Sequence, residues 1–392
     1  MNTYNFFAER PVSGYRQADK VFIFFVILMW GIGIATLLVC AENSAQRIFG
    51  DSLYFVKRQL VSSMIGFVLF ALFAVVNIKT IRSLLPLMVL GTLILCMLTF
   101  FPGIGIEKKG AVRWVRLPGV STFQPSELVK FTVILFLANL FDKQAQIPDL
   151  TKRSVFPAVI GLAVFVGIVF LQKDFSTGFF IFAIGIVLFF VSGAKLSWLI
   201  PFSFLAVPMA FLMISLEPYR MNRLIAFLKP TEDLQGINYQ SFASRRSINA
   251  GGFWGQGIGA GLSKLNGIPE IQTDYIFAGW TEATGFLGVL IYMFLLVLFA
   301  SRAYKIALSC KNRFAAIGAF GCATAIFVQS LLNCAVVSGV VPSTGITLPF
   351  FSSGGSSMMV TLAMCGFIVN ASRTEFDTGL ITENIHGVND YE

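Results

Sequence analysis

The feature that most limits the fold of this chain is a series of apolar runs, most of them about twenty residues long. A helix of about 20 apolar residues spans the hydrocarbon core of a bilayer. Helices also satisfy their own backbone hydrogen bonds in lipid, where water is absent. Hydrophobic residues make up 56% of the 392 residues and charged residues only 12%, which a water-soluble fold does not require. The sequence therefore predicts an all-α integral membrane protein.

The apolar runs predict about ten transmembrane helices. The expected spans are 21–40, 61–78, 83–101, 127–141, 154–171, 178–193, 199–216, 276–300, 314–336 and 357–371. Short basic connectors follow alternate spans, and the positive-inside rule places these connectors and both termini in the cytoplasm. We expect one membrane domain at 21–372, tails at 1–20 and 373–392, and large extracytoplasmic loops at 102–126 and 217–275.

Histidine and cysteine usage restricts the chemistry of the protein. The one histidine, His386, lies in the polar tail, which argues against a histidine-based metal site or general base. The six cysteines lie mostly in or beside apolar runs and are expected to be small packing residues, not a disulfide framework. The net charge is +9, and many cations fall in the two large outer loops. They either bind lipid headgroups or recognise an anionic substrate such as a phosphate.

The segment KKGAVRWVRLPGVSTFQPSELVK (108–130) contains two candidate pairs. Glu127 and Lys130 are three residues apart at a helix start, so they share one helical face and can form an ion pair. That pair is either a structural salt bridge or part of a site facing the bundle interior. Arg113 and Trp114 suit a loop at the membrane interface, and the arginine could also bind a phosphate.

Two further short segments carry polar groups next to apolar spans. In QKDFSTG (172–178), Asp174 either caps the following helix or belongs to a site. In PSTGITLPFFSSGGSSMM (342–359), a Gly-Gly pair is flanked by serines that include Ser353 and Ser356. This segment either presents backbone N–H groups to an anion or re-enters the membrane with its polar groups satisfied internally.

The second large loop begins with EPYRMNRLIAFLKP, which has the spacing of an amphipathic helix lying on the membrane and contains Arg220 and Arg223. The glycine-rich stretch AGGFWGQGIGAG follows, and then Lys264. Because no strand precedes these glycines, they do not indicate a dinucleotide-binding fold. They are expected to allow a tight, adaptable loop near a ligand.

The segment GIPEIQTDYIFAGWTEATG (267–285) places Glu270, Asp274 and Glu282 at the start of an apolar run, without a Lys, Arg or His. Ionisable groups near hydrocarbon are costly and usually functional. Asp274 could instead cap the following helix, since Thr-Asp precedes the run. Glu270 is a rival candidate for the same chemistry or a solvated acid, and Glu282 could pair with a cation.

Five of these blocks, GAVRWV, QPSELVK, QKDFSTG, PEIQTDYIFA and TGITLPFFSSGGSS, occur in an order and spacing that resemble the SEDS family. Its members are the ten-span bacterial proteins FtsW, RodA and SpoVE. The resemblance implies a peptidoglycan glycosyltransferase that polymerises lipid II on the outer face of the bacterial cytoplasmic membrane. It also implies a class B penicillin-binding protein as partner, and no nucleic acid. The stretches YFVKRQL and YRMNRLIAFLKP are more similar to the division members than to the elongation members.

The resemblance also implies roles for individual residues. The essential acid of the family matches Asp274. The other matching positions are Arg113, Trp114, Glu127, Lys130 and Asp174. The chain departs from the family at Lys173, where proline is usual, at Gln272, where histidine is common, and at Ala283, where a second acid often occurs.

The implied reaction gives the acids and cations complementary tasks. A sugar hydroxyl attacks an anomeric carbon that bears a polyprenyl pyrophosphate, and a carboxylate that takes its proton contributes about 10²–10⁴-fold. We expect Asp274 to be this base. The leaving pyrophosphate needs cations, with or without a divalent metal such as Mg or Mn. The candidates are Arg113, Arg220, Arg223 and Lys264. A lipid II flippase and a non-catalytic scaffold remain alternatives.

Overall fold

A computed structural model describes residues 17–108, 111–116, 122–147, 154–194, 218–229, 232, 236, 238–257, 259–261, 268 and 270–373. These residues form eleven α-helices and one β-hairpin. The helices are α1 (Lys20–Phe49), α2 (Tyr54–Val75), α3 (Ile78–Leu98), α4 (Pro125–Ala145), α5 (Phe156–Leu171), α6 (Phe175–Val191), α7 (Pro218–Leu228), α8 (Tyr239–Gly251), α9 (Ile276–Ser309), α10 (Arg313–Ser338) and α11 (Gly355–Arg373). The hairpin consists of β1 (Gly105–Lys108) and β2 (Ala111–Val115).

Nine of the predicted spans coincide with helices, namely α1 to α6 and α9 to α11. The remaining predicted span, 199–216, lies outside the described residues. Among the described helices, α1, α2, α3, α9, α10 and α11 are long and apolar enough to cross a bilayer, and α5 and α6 are shorter apolar helices. The protein is therefore a helical multi-pass membrane protein.

The helices divide into a buried centre and a lipid-facing periphery. In their most apolar stretches, 72% of the residues of α10 and 94% of those of α11 are buried, against 22% in α3. α11 packs most extensively on α2, and α10 contacts α4, α9 and α11. The outer helices expose large apolar side chains such as Phe24, Met64 and Val68. A continuous apolar exterior of this kind is a membrane-contacting surface.

Helix α1 shows how local sequence sets the limits of a span. Asp19 is its N-cap, and the Oδ1 atom of this residue accepts a hydrogen bond from the Phe22 N–H at 2.9 Å. The helix ends at Gly50, whose φ of 70° suits glycine. Its 30 residues rise about 45 Å at 1.5 Å per residue, so α1 continues past the predicted end of its span.

The first large loop contains an antiparallel hairpin that the all-α prediction did not include. Ile106 pairs with Trp114, and the register shifts between Ile106 and Glu107. An isolated bridge between Val115 and Phe123 continues the pairing toward the start of α4. The hairpin fixes the backbone of the first loop against the bundle.

The turn between α5 and α6 is tight. Lys173 has a φ of 60°, in the left-handed region. Proline cannot adopt this angle, since its ring holds φ near −65°. The backbone conformation at position 173 therefore excludes proline, the residue that is usual in the family at this position.

Helix α9 is broken near its start. Gly285 has a φ of 67° and a ψ of −164°, so residues 276–284 and 286–309 form two separate helical segments. A Cβ atom at Gly285 would lie 2.3 Å from the backbone nitrogen of Gly255. The predicted span 276–300 lies within this helix, and the break at Gly285 was not predicted.

The glycine-rich loop (residues 251–257) fills the break. The Gln256 N–H donates to the Glu282 carbonyl at 2.9 Å, and the Phe286 N–H donates to the Gly252 carbonyl at 2.9 Å. Irregular backbone at membrane depth is tolerated only where protein or water satisfies it. The loop supplies those partners, so its glycines serve a close backbone contact with α9.

Candidate active site

Asp274 lies in a non-helical segment that is held against the α10–α11 loop (residues 339–354). The Ser353 N–H donates to the Gln272 carbonyl at 2.7 Å. The Ser352 hydroxyl donates to the Thr273 carbonyl. These bonds hold the backbone just before Asp274. Asp274 directly follows Thr273 and lies two residues before the start of α9.

The half-buried side chains of Asp274 and Arg223 both lie beside Gly345 in the α10–α11 loop. A Cβ atom built at Gly345 would lie 3.5 Å from Asp274 Oδ2 and 3.7 Å from Arg223 Nη1. Arg223 Nη1 also donates to the Ser343 carbonyl at 3.1 Å. A carboxylate and a guanidinium therefore border one glycine. The carboxylate can accept a proton, and the nearby guanidinium favours a negatively charged group bound beside it.

Arg223 belongs to α7, the amphipathic helix that the sequence predicted in the second loop. The side chains of Ile225 and Leu228 on this helix are exposed, while Arg223 is turned toward the α10–α11 loop. The helix thus presents apolar groups outward and a cation to Asp274. The backbone of Arg220 belongs to the same helix, and its side chain lies outside the described residues, as does Lys264.

The N-cap position of α9 is occupied by Tyr275 and not by Asp274. Asp274 therefore directly precedes the cap position. Burial is the main cause that raises the pKa of Tyr275. This phenol therefore carries no charge beside the carboxylate of Asp274 at neutral pH.

The other two acids of this segment lie in different surroundings. Glu270 is half-buried in a turn with a φ of 55°, and its carbonyl accepts hydrogen bonds from the backbone N–H and the hydroxyl of Thr273. Glu282 is 1% exposed in the first segment of α9. A Cβ atom at Gly261 would lie 2.5 Å from the Glu282 carboxyl carbon, so the chain after the glycine-rich loop covers this acid.

The ion pair predicted between Glu127 and Lys130 is present in the centre of the bundle. Lys130 Nζ lies 2.7 Å from Glu127 Oε2, and both side chains are nearly inaccessible. Lys130 also donates to Gln329 Oε1 on α10 at 2.7 Å. Gln329 Nε2 in turn donates to the Thr347 carbonyl of the α10–α11 loop at 2.9 Å. The pair is therefore connected to the loop that borders Asp274.

Asp174 joins the first large loop to the bundle. Its Oδ2 accepts hydrogen bonds from Gln124 Nε2 and Ser126 Oγ, each at 2.7 Å, and its Oδ1 lies 3.3 Å from Arg113 Nη1. Asp174 occupies the N-cap position of α6 but makes no side-chain capping bond, so the capping alternative was wrong. Arg113 and the half-buried Trp114 lie on β2, where Arg113 is bound to this carboxylate.

The serine-rich segment uses its polar groups within the protein. The Ser352 N–H donates to the Leu348 carbonyl, and the Gly354 N–H donates to the Ser352 carbonyl at 2.8 Å. The buried Ser356 hydroxyl accepts a hydrogen bond from the Gln124 N–H at 2.9 Å. With Ser353 bound to Gln272, these polar groups find partners within the protein, as the alternative of an internally satisfied segment expects.

The sequence prediction missed the amides Gln329 and Asn333, which lie one turn apart on α10. Gln329 is 4% exposed and Asn333 is 1% exposed. Polar groups inside a membrane span usually mark a functional interior, and two amides four residues apart on one face were the available signal.

Comparisons with known proteins agree with this architecture. The FtsW/RodA/SpoVE family, described as "Cell cycle protein", matches residues 19–376. A protein of Geobacter sp. (strain M18) called "Probable peptidoglycan glycosyltransferase FtsW" is 33% identical over 93% of this chain and 98% of the relative. "Stage V sporulation protein E" of Bacillus subtilis (strain 168) is 33% identical over 91% of this chain and 97% of its own.

Solved structures show the same fold. A chain of a peptidoglycan synthase complex superposes with a TM-score of 0.75 at 28% identity, covering 92% of this chain and 99% of that chain. The rod shape determining protein RodA of Thermus thermophilus superposes with a TM-score of 0.66 at 25% identity, covering 92% and 98%. The chain thus belongs to the FtsW/RodA/SpoVE family, in which its sequence is more similar to the FtsW relative than to this RodA.

Proposed function

We propose that this protein is a peptidoglycan glycosyltransferase that polymerises lipid II in cell division or in the maintenance of cell shape, with Asp274 as the general base. The observation that carries the proposal is that the side chains of Asp274 and Arg223 both lie beside Gly345. The relatives named as glycosyltransferases support the reaction class. This reaction requires a proton acceptor for the attacking hydroxyl and positive charge beside the leaving pyrophosphate. A carboxylate next to a fixed cation can supply both.

The reaction is a single displacement at the anomeric carbon of the donor. The 4-hydroxyl oxygen of the acceptor sugar forms a bond to this carbon as the bond to the pyrophosphate oxygen breaks. Asp274 takes the hydroxyl proton, and the electron pair leaves with the polyprenyl pyrophosphate. Positioned cations stabilise the charge that develops on the leaving group. We propose that Arg223 has this task, supported by its position beside Gly345, and that Arg220 and Lys264 contribute to the same cationic surface.

The remaining site residues are proposed to hold or contact the lipid-linked substrate near Asp274. Glu127 and Lys130 form a buried pair that is connected to the α10–α11 loop through Gln329. Asp174 holds Arg113, and Arg113 and Trp114 are proposed to contact the substrate. Ser353, Ser356, Glu270 and Glu282 are proposed to border the bound substrate.

A divalent cation such as Mg or Mn would need oxygens of the substrate among its ligands. Within the described part of the chain, no group of three His, Cys, Asp or Glu residues could hold a metal alone. Mg²⁺ in phosphate chemistry is commonly bound by one or two carboxylates together with substrate phosphates. Polymerisation measured with a chelator, and with Mg or Mn restored, tests this requirement.

The proposed partners and location follow from the family. We propose that the protein works with a class B penicillin-binding protein, as suggested by the similar chain that is part of a peptidoglycan synthase complex. We further propose that both termini are cytoplasmic and that Asp274 lies on the outer side of the membrane. The bilayer lipids contact the apolar outer faces of α1 to α3.

The test uses the purified full-length chain, lipid II and a gel that resolves glycan length. The wild type is expected to form polymer, and Asp274→Asn is expected to form almost none. Glu232→Gln is the control, because Glu232 is an exposed acid of the same loop that pairs with Lys229, and this variant is expected to retain most of the activity. Polymer formed by Asp274→Asn at a near-normal rate would reject the assignment.

The same preparation separates the alternatives. A flippase would move labelled lipid II across vesicles without making glycan. A scaffold would support growth of cells that carry Asp274→Asn.

A further inference from the structure

One buried amide on α10 binds two backbone segments of the site. Asn333 Nδ2 donates to the Asp274 carbonyl at 2.9 Å and to the Ile346 carbonyl at 2.8 Å. Asp274 lies in the segment before α9, whereas Ile346 lies in the α10–α11 loop. A single side chain therefore ties the two sides of the site together.

The orientation of this amide is fixed by its partners. Both acceptors are carbonyl oxygens, which cannot donate, so the NH₂ group of Asn333 must face them. The Oδ1 atom of Asn333 is buried and has no hydrogen-bond partner among the described residues. Leaving a buried acceptor unpaired is unfavourable. The placement of the amide therefore serves its two donor contacts.

The two contacts lie next to the reacting groups. Ile346 directly follows Gly345, the residue that both the Asp274 carboxylate and the Arg223 guanidinium border. Arg223 is itself held to the same loop through the Ser343 carbonyl. The separation of base and cation thus depends on how the Asp274 backbone is placed against this loop, and Asn333 makes that connection.

We infer that Asn333 is a positioning residue, which sets the Asp274 carboxylate relative to Arg223 by binding the backbones of both sides. Asn333 does not touch the substrate and acts through Asp274. The inference rests on the proposed role of Asp274 as general base. A base displaced by about 1 Å can lose about 10²-fold in rate.

The protein contains a matched control. Asn370 on α11 is also buried, and its Nδ2 donates to the carbonyls of Phe73 and Val76 at 2.7 and 2.6 Å. It makes the same kind of clamp near the ends of α2 and α11, away from Asp274. Substitution of either asparagine removes comparable buried bonds, so a purely structural role would give both the same phenotype.

The experiment compares Asn333→Asp and Asn333→Ala with Asn370→Asp and Asn370→Ala in the purified full-length chain. Polymerisation of lipid II gives kcat and KM, and thermal unfolding in the same detergent gives the folded fraction. The Asn333 variants are expected to lose about 10²-fold in kcat, with KM changed less than about twofold. The Asn370 variants are expected to melt lower with an unchanged kcat. The alanine variant introduces no charge and provides the test if the aspartate variant does not fold.

An unchanged kcat in folded Asn333 variants would overturn the inference, as would equal losses in both pairs of variants. Asp274→Asn separates this failure from a failure of the proposed function. If Asp274→Asn is active, the role of Asp274 as general base is rejected. If Asp274→Asn is inactive and the Asn333 variants are fully active, only the positioning role of Asn333 is rejected.

Discussion

Lys130 on α4 and Gln329 on α10 are joined by a hydrogen bond of 2.7 Å in the interior of the bundle. Gln329 carries this connection to the Thr347 carbonyl, and the Thr347 hydroxyl continues it to Ser357 at 2.9 Å. Charges buried in a membrane protein require partners of this kind. The ion pair of α4 and the loop beside Asp274 therefore form one connected unit.

The first prediction concerns the buried ion pair. Glu127→Gln leaves the Lys130 ammonium with neutral partners, which is expected to cost about 3–5 kcal/mol. The double variant Glu127→Gln/Lys130→Met is expected to melt above this single variant, because it leaves no buried charge. Thermal unfolding of both variants checks the prediction. A single variant as stable as the wild type would contradict it.

The second prediction concerns the break in α9. Gly285→Ala is expected to unfold at a much lower temperature and to lose activity. Its Cβ would meet the Gly255 nitrogen at 2.3 Å, and its φ is 67°. Gly31→Ala on α1 is the control, since no atom of the described residues lies within 4 Å of its Cβ. The control is expected to be neutral or more stable by about 0.5–1 kcal/mol. Equal melting temperatures for the two variants would show that the break is dispensable.

The third prediction concerns the cation beside Asp274. Arg223→Gln is expected to lower kcat by about 10²–10³-fold, the range found when one fixed electrostatic donor is removed. Arg246→Gln, on the exposed face of α8, is the matched control and is expected to leave kcat nearly unchanged. Steady-state polymerisation kinetics measure both. A similar kcat for the two variants would contradict the proposed role of Arg223 in stabilising the leaving group.

The fourth prediction concerns Asp174. Asp174→Asn removes the charge that holds Arg113 and weakens the bonds to Gln124 and Ser126, at an expected cost of about 1.5–3 kcal/mol. Asp51→Asn is the control, because Asp51 pairs with Lys57 at 2.7 Å on the surface. Exposed ion pairs contribute little, so the melting temperature of the control is expected to stay at the wild-type value. Limited proteolysis of Asp174→Asn is expected to cut the first large loop faster than in the wild type. An unchanged rate of cleavage would contradict the anchoring role of Asp174.

The spans were predictable because apolar length alone decides whether a helix can cross a bilayer. Helix α4 illustrates the usual error at the ends, since the predicted span 127–141 is contained in the observed Pro125–Ala145. The Glu127–Lys130 pair was predictable because both residues lie on one helix at a favourable spacing. Each of these inferences uses local information only.

The contacts that join distant parts of the chain were not predictable in the same way. Asp174 looked equally suited to capping α6, and its partner Gln124 lies 50 positions away. Gly285 lies in an apolar run as Gly31 does, and the two are distinguished by the positive φ of Gly285 and its close contact with Gly255. Asn333 has meaning only once Asp274 and Ile346 are placed beside it. The role of each of these residues depends on how distant segments pack together, and the local sequence does not reveal that packing.

The interruption at Gly285 makes the helical segment that follows Asp274 depend on a second part of the chain. The glycine-rich loop is backbone-bonded to both parts of α9, at Glu282 before the break and at Phe286 after it. Displacement of this loop would therefore uncouple residues 276–284 from the remainder of the helix.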